Sequence, residues 1–499
     1  MSGIKKLAGE AIWYGVPTIF TRFLSYAIAF VGLKYSALAN NNYNLIYVLI
    51  PFLNILFTYG LETSYFRYVT KRDKQVVYNT LSTSIVVSTI ILTIVFYLCK
   101  DALASTFKID KHPEYIVWML GILFFDSLAV LPFCKMRHEG RPRRFAGIKL
   151  INIIVNTVVV MYYTWLCPRI AASNPQSIFL AGYNTSIQVG YLIIANLVAS
   201  ALTLVLVYKE LRQVRYKFDA KLWREIMCYS LPLLVVGLGG MCNEMISRLL
   251  FERFSTLPQA AAKAANSVFA ANFKLAVLVT IFIQIFKMAA EPFFFKKAAD
   301  ADAKRTYARV MKFFVIACCF IYLGVSMTTL FLQKLISYKH AEYAEGIVVV
   351  PILALGYVFL GIYYNLSVWY KLTNKNMYGA YITIVGVIIT IVLNIVLVPL
   401  YGYVGSAWAT FVCYGYMMVV SYLRGQKHYR IPYATKKLLA YIVIVLLFYG
   451  LQKLIYHVYP STLLYALVAI LSWLAFGWFI IQVERKELVK IPYLNKLIH

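Results

Sequence analysis

Fourteen apolar runs of membrane-spanning length are the feature that most constrains this chain. A transmembrane helix needs about 20 largely apolar residues, and such runs recur along all 499 residues. They lie near residues 11–34, 43–66, 79–99, 115–135, 147–167, 188–208, 225–250, 265–290, 310–333, 346–370, 378–399, 404–423, 437–457 and 462–482. We therefore predict an all-α polytopic membrane protein with about 14 transmembrane helices, because a helix satisfies its own backbone polar groups in lipid.

The composition agrees with this class and excludes others. Only 14% of the residues are charged and 61% are hydrophobic, whereas soluble domains carry about 25% charged residues. Too few charges remain to cover several soluble domains. The net charge of +29 would suit a nucleic-acid-binding protein only if the charges covered a soluble face. We expect no nucleic-acid partner.

The positive charges are distributed unevenly between the two sets of loops. The termini and even-numbered loops hold 36 of the 49 lysine and arginine residues, in segments 1–10, 67–78, 135–149, 209–224, 287–312, 371–377, 424–437 and 483–499. The odd-numbered loops and adjoining helix ends hold 10. Because basic loops remain in the cytoplasm, this bias predicts that both termini are cytoplasmic. The start of the chain leads directly into a span, so we expect the first helix to act as its own insertion signal.

An internal repeat relates the two halves of the chain. The first and seventh spans align at an offset of 215 residues, and the inner ends of the second and eighth align at 229. The matched pairs are Lys6 with Lys221, Glu10 with Glu225, Tyr14 with Tyr229, Pro17 with Pro232, Glu62 with Glu291, Phe66 with Phe295, Asp73 with Asp302 and Tyr78 with Tyr307. An offset of six helices predicts two parallel six-helix lobes related by a pseudo-two-fold axis.

The repeat also predicts the domain boundaries. Residues 1–208 would form the N-terminal lobe, 209–224 a cytoplasmic linker, and 225–423 the C-terminal lobe. Two additional helices and a cytoplasmic tail would follow in 424–499. The change of offset places an insertion in the external loop around Arg253–Lys263.

Three basic residues fall inside predicted spans. Arg22 lies at the middle of the first span, Arg248 near the outer end of the seventh, and Lys274 in the outer half of the eighth. A charge at membrane depth costs at least about 2.5–3.5 kcal/mol, so it normally faces a cavity. With Glu244, one turn before Arg248, they form our predicted substrate-binding set, a basic track for an anion such as phosphate. The alternative is that these side chains reach the lipid headgroups.

Acidic residues at the inner ends of the second and eighth spans suggest a gate. Glu62 is followed by Arg67, and Lys287 precedes Glu291 by one turn. One interpretation is an interfacial ion pair of small energy. The other is an inner gate, formed by these four residues, whose pairs break when the lobes move.

Other residues inside the spans have less specific interpretations. Asp126 lies near mid-depth in the fourth span, and its partner cannot be identified from the sequence. Pro17 and Pro232 remove backbone hydrogen bonds and are predicted helix kinks. Neither the six histidines nor the eight cysteines are grouped at ligand spacing, so we expect no metal and no cofactor.

One segment carries a family resemblance. The stretch from Asn394 through Pro399, Gly402 and Gly405 to Thr410 resembles the Asn-x4-Pro-x2-Gly-x2-Gly-Ala-x2-Ala-Thr block of polysaccharide transporters, the Wzx-type flippases. These belong to the multidrug/oligosaccharidyl-lipid/polysaccharide exporter (MOP) superfamily. The segment Gly60–Arg67 is similar to that family as well. Ser406 stands where alanine is more common.

The resemblance implies a flippase in the bacterial inner membrane that moves an undecaprenyl-diphosphate-linked oligosaccharide to the outer leaflet. It also implies that Arg22 binds the diphosphate. We expect a monomer among membrane lipids, with a polysaccharide polymerase and glycosyltransferases as partners.

Three alternatives remain open. The first is a flippase for the lipid-linked peptidoglycan precursor, and the second is a cation-coupled multidrug antiporter, which would use Glu244 and Asp126. The third is a membrane glycan polymerase or ligase, which needs catalytic groups in a sizeable external loop. The external acids Asp101, Asp110 and Glu114 are interspersed with lysines, and we expect no enzymatic activity.

Overall fold

The computed structural model describes most of the chain beyond the first predicted span. The described residues are 9, 13, 15, 17, 19–20, 37–106, 112–174, 176–180, 182–187, 190–215, 217–337 and 341–488. Every regular element in these ranges is helical, which confirms the all-α fold class.

Ten α-helices lie in the first half of the described chain. They are α1 Ala37–Thr58, α2 Leu61–Tyr68, α3 Lys74–Leu98, α4 Lys100–Thr106, α5 Glu114–Glu139, α6 Pro142–Met161, α7 Cys167–Ser173, α8 Gly190–Leu206, α9 Tyr208–Leu211 and α10 Ala220–Phe254. A π-helical turn, Tyr162–Leu166, joins α6 to α7.

A second set of ten α-helices follows. They are α11 Gln259–Ala276, α12 Leu278–Lys297, α13 Ala303–Ser326, α14 Thr329–Ile336, α15 Val349–Leu366, α16 Val368–Leu372, α17 Asn376–Tyr401, α18 Tyr403–His428, α19 Thr435–Val458 and α20 Thr462–Leu488.

Eleven helices in the described ranges are long and apolar enough to cross a membrane, against the fourteen predicted. The first predicted span lies mostly outside the described residues. The second is divided into α1 and α2, and the sixth corresponds to α8, whose apolar helix is 17 residues long. The difference therefore comes from a helix break, a short helix and the described range.

The break between α1 and α2 has a local cause. Tyr59 and Gly60 have positive φ values of 33° and 76°, a conformation that glycine adopts with little strain. The hydroxyl of Ser230 in α10 donates a hydrogen bond to the carbonyl of Tyr59, which the break leaves available. Pro232 lies buried two residues further along α10. The broken second span and the proline-containing seventh span therefore contact each other.

The predicted insertion at Arg253–Lys263 is not a long loop. Helix α10 continues to Phe254 and α11 begins at Gln259. Alanine-rich sequence follows Gln259, and alanine has the highest helix propensity. The extra residues therefore lengthen helices instead of extending a loop.

The chain divides into two compact units. One is Glu10–Leu238, here the N-terminal unit, and the other is Gly239–His499 with Met1–Gly9, here the C-terminal unit. The division falls inside α10, within a glycine-rich stretch that includes Gly237, Gly239 and Gly240.

The motif that carries the family resemblance forms a buried polar network in the C-terminal unit. Asn394 is fully buried; its amide donates to Ser247 Oγ at 3.2 Å, and Ser406 Oγ donates to Asn394 Oδ1 at 2.8 Å. A side chain at Gly405 would lie 2.3 Å from the carbonyl oxygen of Leu397. The motif therefore fixes the close packing of α10, α17 and α18.

A buried carboxylate connects the last two helices to the rest of the C-terminal unit. Glu484 in α20 is 3% exposed. It accepts hydrogen bonds from Lys312 in α13 and from Lys437 and Tyr441 in α19. Helices α19 and α20 are therefore joined to α13 by charge as well as by apolar packing.

Candidate functional site

The Lys/Arg-rich segments 67–78, 135–149 and 209–224 come together in the N-terminal unit, and we call this region its basic end. Tyr78 Oη donates to the carbonyl of Glu210 at 3.0 Å, and Lys135 Nζ lies 2.6 Å from Gln213 Oε1. The Glu210 carboxylate is fully buried and lies 2.9 Å from Arg144. Desolvation and the nearby positive charge of Arg67 lower the pKa of Lys71 in the adjoining loop. Residues 209–215 are thus packed against helices.

Glu62, a predicted gate residue, forms an ion pair at this basic end. Its partner is Arg137 of α5, which is 5% exposed while Glu62 is 45% exposed. The predicted neighbour Arg67 is buried, but it stands five positions after Glu62. Helix neighbours that contact each other are three or four positions apart, and the ion pair of Glu62 is made by Arg137 from another helix.

Glu291, the repeat mate of Glu62, is paired in the C-terminal unit. Its carboxylate lies 2.8 Å from Lys371 Nζ in α16, and the two side chains are 6% and 14% exposed. The predicted neighbour Lys287 is exposed, and its ammonium lies 5.1 Å from the ring centroid of Tyr364. The partner of Glu291 is therefore Lys371 from another helix rather than Lys287 on its own helix.

These two ion pairs follow the same repeat. Glu62 and Glu291 end the second and eighth predicted spans, while Arg137 and Lys371 follow the fourth and tenth. Both partners are thus displaced by six helices. Each unit independently joins its second and fourth spans through a carboxylate and a cation, as a parallel repeat requires.

Asp126 has its charged neighbour within the N-terminal unit. The carboxyl group of Asp126 in α5 lies near the ammonium of Lys149 in α6 and the hydroxyl of Ser200 in α8. Lys149 Nζ also lies 4.4 Å from the ring centroid of Phe133. Three neighbouring helices therefore meet at this carboxyl group.

The predicted basic track is only partly within the described residues. Arg22 lies outside them, as do the side chains of Glu244 and Arg248, whose backbone belongs to α10. Lys274 is exposed in the last turn of α11. Pro17 is buried. The convergence of Arg22, Arg248 and Lys274 remains a prediction.

Sequence reasoning missed the residues that complete these clusters: Arg137, Lys149, Glu210, Lys371 and Glu484. Four of them lie in segments already counted as basic loops, and Glu484 lies in the tail. The repeat itself contained a usable signal, since Arg137 and Lys371 both end the spans two helices after the gate glutamates.

Comparisons with known proteins identify the fold. No family model and no curated protein matches the chain. A mutant of the Vibrio cholerae MATE transporter VcmN is 14% identical, with 86% of this chain and 98% of that chain covered and a TM-score of 0.69. A MATE transporter in a straight conformation gives 13% identity, 85% and 96% coverage and a TM-score of 0.70.

A third solved structure has the same fold. It is the outward-facing form of a multidrug resistance MATE family transporter of the MOP superfamily, 14% identical, with 86% of this chain and 98% of that chain covered and a TM-score of 0.68. The chain therefore has the multi-helix, two-lobe fold of MATE transporters. At these identities the likeness concerns the fold alone.

Proposed function

We propose that this protein is an exporter that works by alternating access and that its substrate is an undecaprenyl-diphosphate-linked oligosaccharide. One observation carries the transport proposal: on a fold shared with transporters, each unit forms the same ion pair between its second and fourth spans, Glu62 with Arg137 and Glu291 with Lys371. Both pairs lie within their own unit, and the same local contact in both units suits a transporter built from a parallel repeat.

The choice of substrate depends on charge and on the Asn394–Thr410 motif. Arg22, Arg248 and Lys274 give the spans an excess of positive charge, which suits a diphosphate and disfavours a cationic drug. In this proposal the protein lies in the bacterial inner membrane with both termini cytoplasmic. It receives its substrate from glycosyltransferases and passes it to a polymerase.

Substitution of Arg22 tests the substrate proposal. A guanidinium offers planar, bidentate donors to phosphate that an ammonium does not reproduce, and each charged hydrogen bond contributes about 1.5–3 kcal/mol. Arg22→Ala should abolish glycan export in a flippase-deficient strain at normal protein level, while Arg22→Lys restores part of it. Lys274→Ala should reduce glycan export less than Arg22→Ala does. Full export by a well-expressed Arg22→Ala protein would contradict the proposal.

A cation-coupled multidrug antiporter is the second candidate. Two observations favour it: the solved structures of similar fold include a multidrug resistance transporter, and Asp126 places a carboxyl group among three helices. In this case Asp126→Asn should abolish drug resistance conferred by the overexpressed protein, and Arg22→Ala should leave that resistance unchanged.

A further inference from the structure

A small cavity with a mostly apolar lining and a few charged groups lies inside the C-terminal unit, between α12 and the α15–α16 junction. Its charged lining consists of Lys287, Glu291 and Lys371, and Tyr364 and Asn365 add aromatic and amide groups. The cavity is open on one side. About 30 Å³ is free for the centre of a water-sized sphere, and one water needs about 10–15 Å³.

One side chain in this cavity lacks the contact that burial requires. Asn365 is 3% exposed, and its Nδ2 has no hydrogen-bond partner among the described residues. A buried donor that has no acceptor destabilises the folded protein, because it has lost its hydrogen bonds to water. A ligand that accepts a hydrogen bond inside the cavity would remove this penalty.

The charges of the lining indicate which acceptor fits. Two ammonium groups face one carboxylate, so the cavity carries a net charge of +1. Lys371 is already 2.8 Å from Glu291, whereas Lys287 is exposed and contacts the face of Tyr364. An anion can therefore reach Lys287 first. The free space admits a compact group but not a sugar ring.

We propose that this cavity binds a phosphate group, held by Lys287, Lys371 and the amide of Asn365. Glu291 competes with the ligand for Lys371, because both are anions and both need the same ammonium. Binding therefore weakens the Glu291–Lys371 pair. The phosphate is supplied either by a lipid headgroup or by a soluble phosphate compound. The site is independent of Arg22 and of the identity of the transported molecule.

Titration of the purified full-length protein tests the site. We would measure the dissociation constant for inorganic pyrophosphate in a neutral detergent, and for phosphatidylglycerol in nanodiscs diluted with phosphatidylcholine. Lys287→Ala should weaken binding about tenfold, equivalent to about 1.4 kcal/mol. Glu291→Gln should tighten binding at least about threefold, because it removes the competing charge while keeping the shape of the side chain.

Lys304→Ala is the matched control. Lys304 is also exposed, and its ammonium lies 4.7 Å from the ring centroid of Tyr429, outside the cavity. This variant should have the same dissociation constants for both probes as the unchanged protein. Lys287 is exposed, so Lys287→Ala should fold. Glu291→Gln keeps a side-chain oxygen that can accept the hydrogen bond of Lys371, and the midpoint of thermal unfolding of each variant checks that it folds.

The two probes separate the two sources of phosphate. If Glu291→Gln lowers the dissociation constant for pyrophosphate, the natural ligand is a soluble phosphate compound. If it lowers only the dissociation constant for phosphatidylglycerol, the ligand is a lipid headgroup. The proposal is overturned if neither probe binds, or if Glu291→Gln and Lys287→Ala bind both probes as tightly as the unchanged protein. Loss of export in Arg22→Ala would not affect either result.

Discussion

At the scale of single residues, Gly60 shows how one backbone position shapes a span. Its φ of 76° lies in the left-handed region, and a Cβ there would lie 3.0 Å from both the carbonyl oxygen of Ser230 and Cβ of Leu233. Glycine thus permits both the break between α1 and α2 and the close approach of α10.

Gly60→Ala should therefore destabilise the protein. The left-handed conformation costs a residue with a Cβ about 1–2 kcal/mol, and the contact with α10 adds to this. We expect a lower midpoint of thermal unfolding in detergent. Gly147 in α6 is the control, since a Cβ there meets nothing within 4 Å, and Gly147→Ala should be neutral or slightly stabilising. Equal midpoints for the two variants would contradict this account.

At the scale of helices, Glu484 connects elements that lie outside the repeat. Lys312 and Glu484 are both buried, and each is 9% exposed or less. Removing Glu484 would leave Lys312 with only the partly exposed Glu487, at 2.9 Å, so the cost should stay below the value of about 3–5 kcal/mol that is typical of a buried charge left without any partner. By contrast, Arg309 is 40% exposed and lies 3.4 Å from Glu487, so its pair should contribute about 0–1 kcal/mol.

Glu484→Ala should accordingly lower the unfolding midpoint far more than Arg309→Ala. The double change Lys312→Met with Glu484→Leu should restore part of the unfolding midpoint, because it removes the two buried charges together. The charges that it leaves, Lys437 and Glu487, are 47% and 31% exposed. Thermal unfolding of the four proteins in one detergent would measure this. If Glu484→Ala lowers the unfolding midpoint no more than Arg309→Ala does, apolar packing alone holds α19 and α20 in place.

At the scale of the whole molecule, the repeated ion pairs predict a conformational effect. If Glu62 and Glu291 help to hold the closed state, the double change Glu62→Gln with Glu291→Gln should favour a state in which the region around these two glutamates is more open. Cys134 is buried one turn before Arg137, so its alkylation, followed by mass spectrometry, should become faster.

The control for this experiment is Glu225→Gln. Glu225 and Arg72 form an ion pair at 3.2 Å, and both of their side chains are exposed. It should leave alkylation of Cys134 unchanged. Equal alkylation in the double variant and the unchanged protein would restrict Glu62 and Glu291 to an interfacial role.

The charge distribution predicts which side of the membrane each loop faces. Single cysteines introduced within 135–149, 209–224 or 424–437 should react with impermeant thiol reagents only after the cytoplasmic face is opened. Those within 105–112 or 335–342 should react in intact cells. Labelling of 105–112 from the cytoplasm would reverse the orientation and the direction of transport.

The sequence by itself determined the all-α class, the position of most spans and the six-helix repeat. Hydropathy and loop charge depend on residues that are neighbours in the chain, so they can be read without knowing how helices pack. The repeat also identified Glu62 and Glu291 as equivalent positions.

Only the tertiary structure decided what those residues contact. Arg137 lies 75 positions from Glu62, and Lys371 lies 80 from Glu291, so their pairing depends on which helices pack together and at what height. The break at Gly60 and the buried contacts of Glu484 also join helices that are distant in the chain. The spacing of residues along the chain does not predict such contacts, because they form only when separate helices pack side by side.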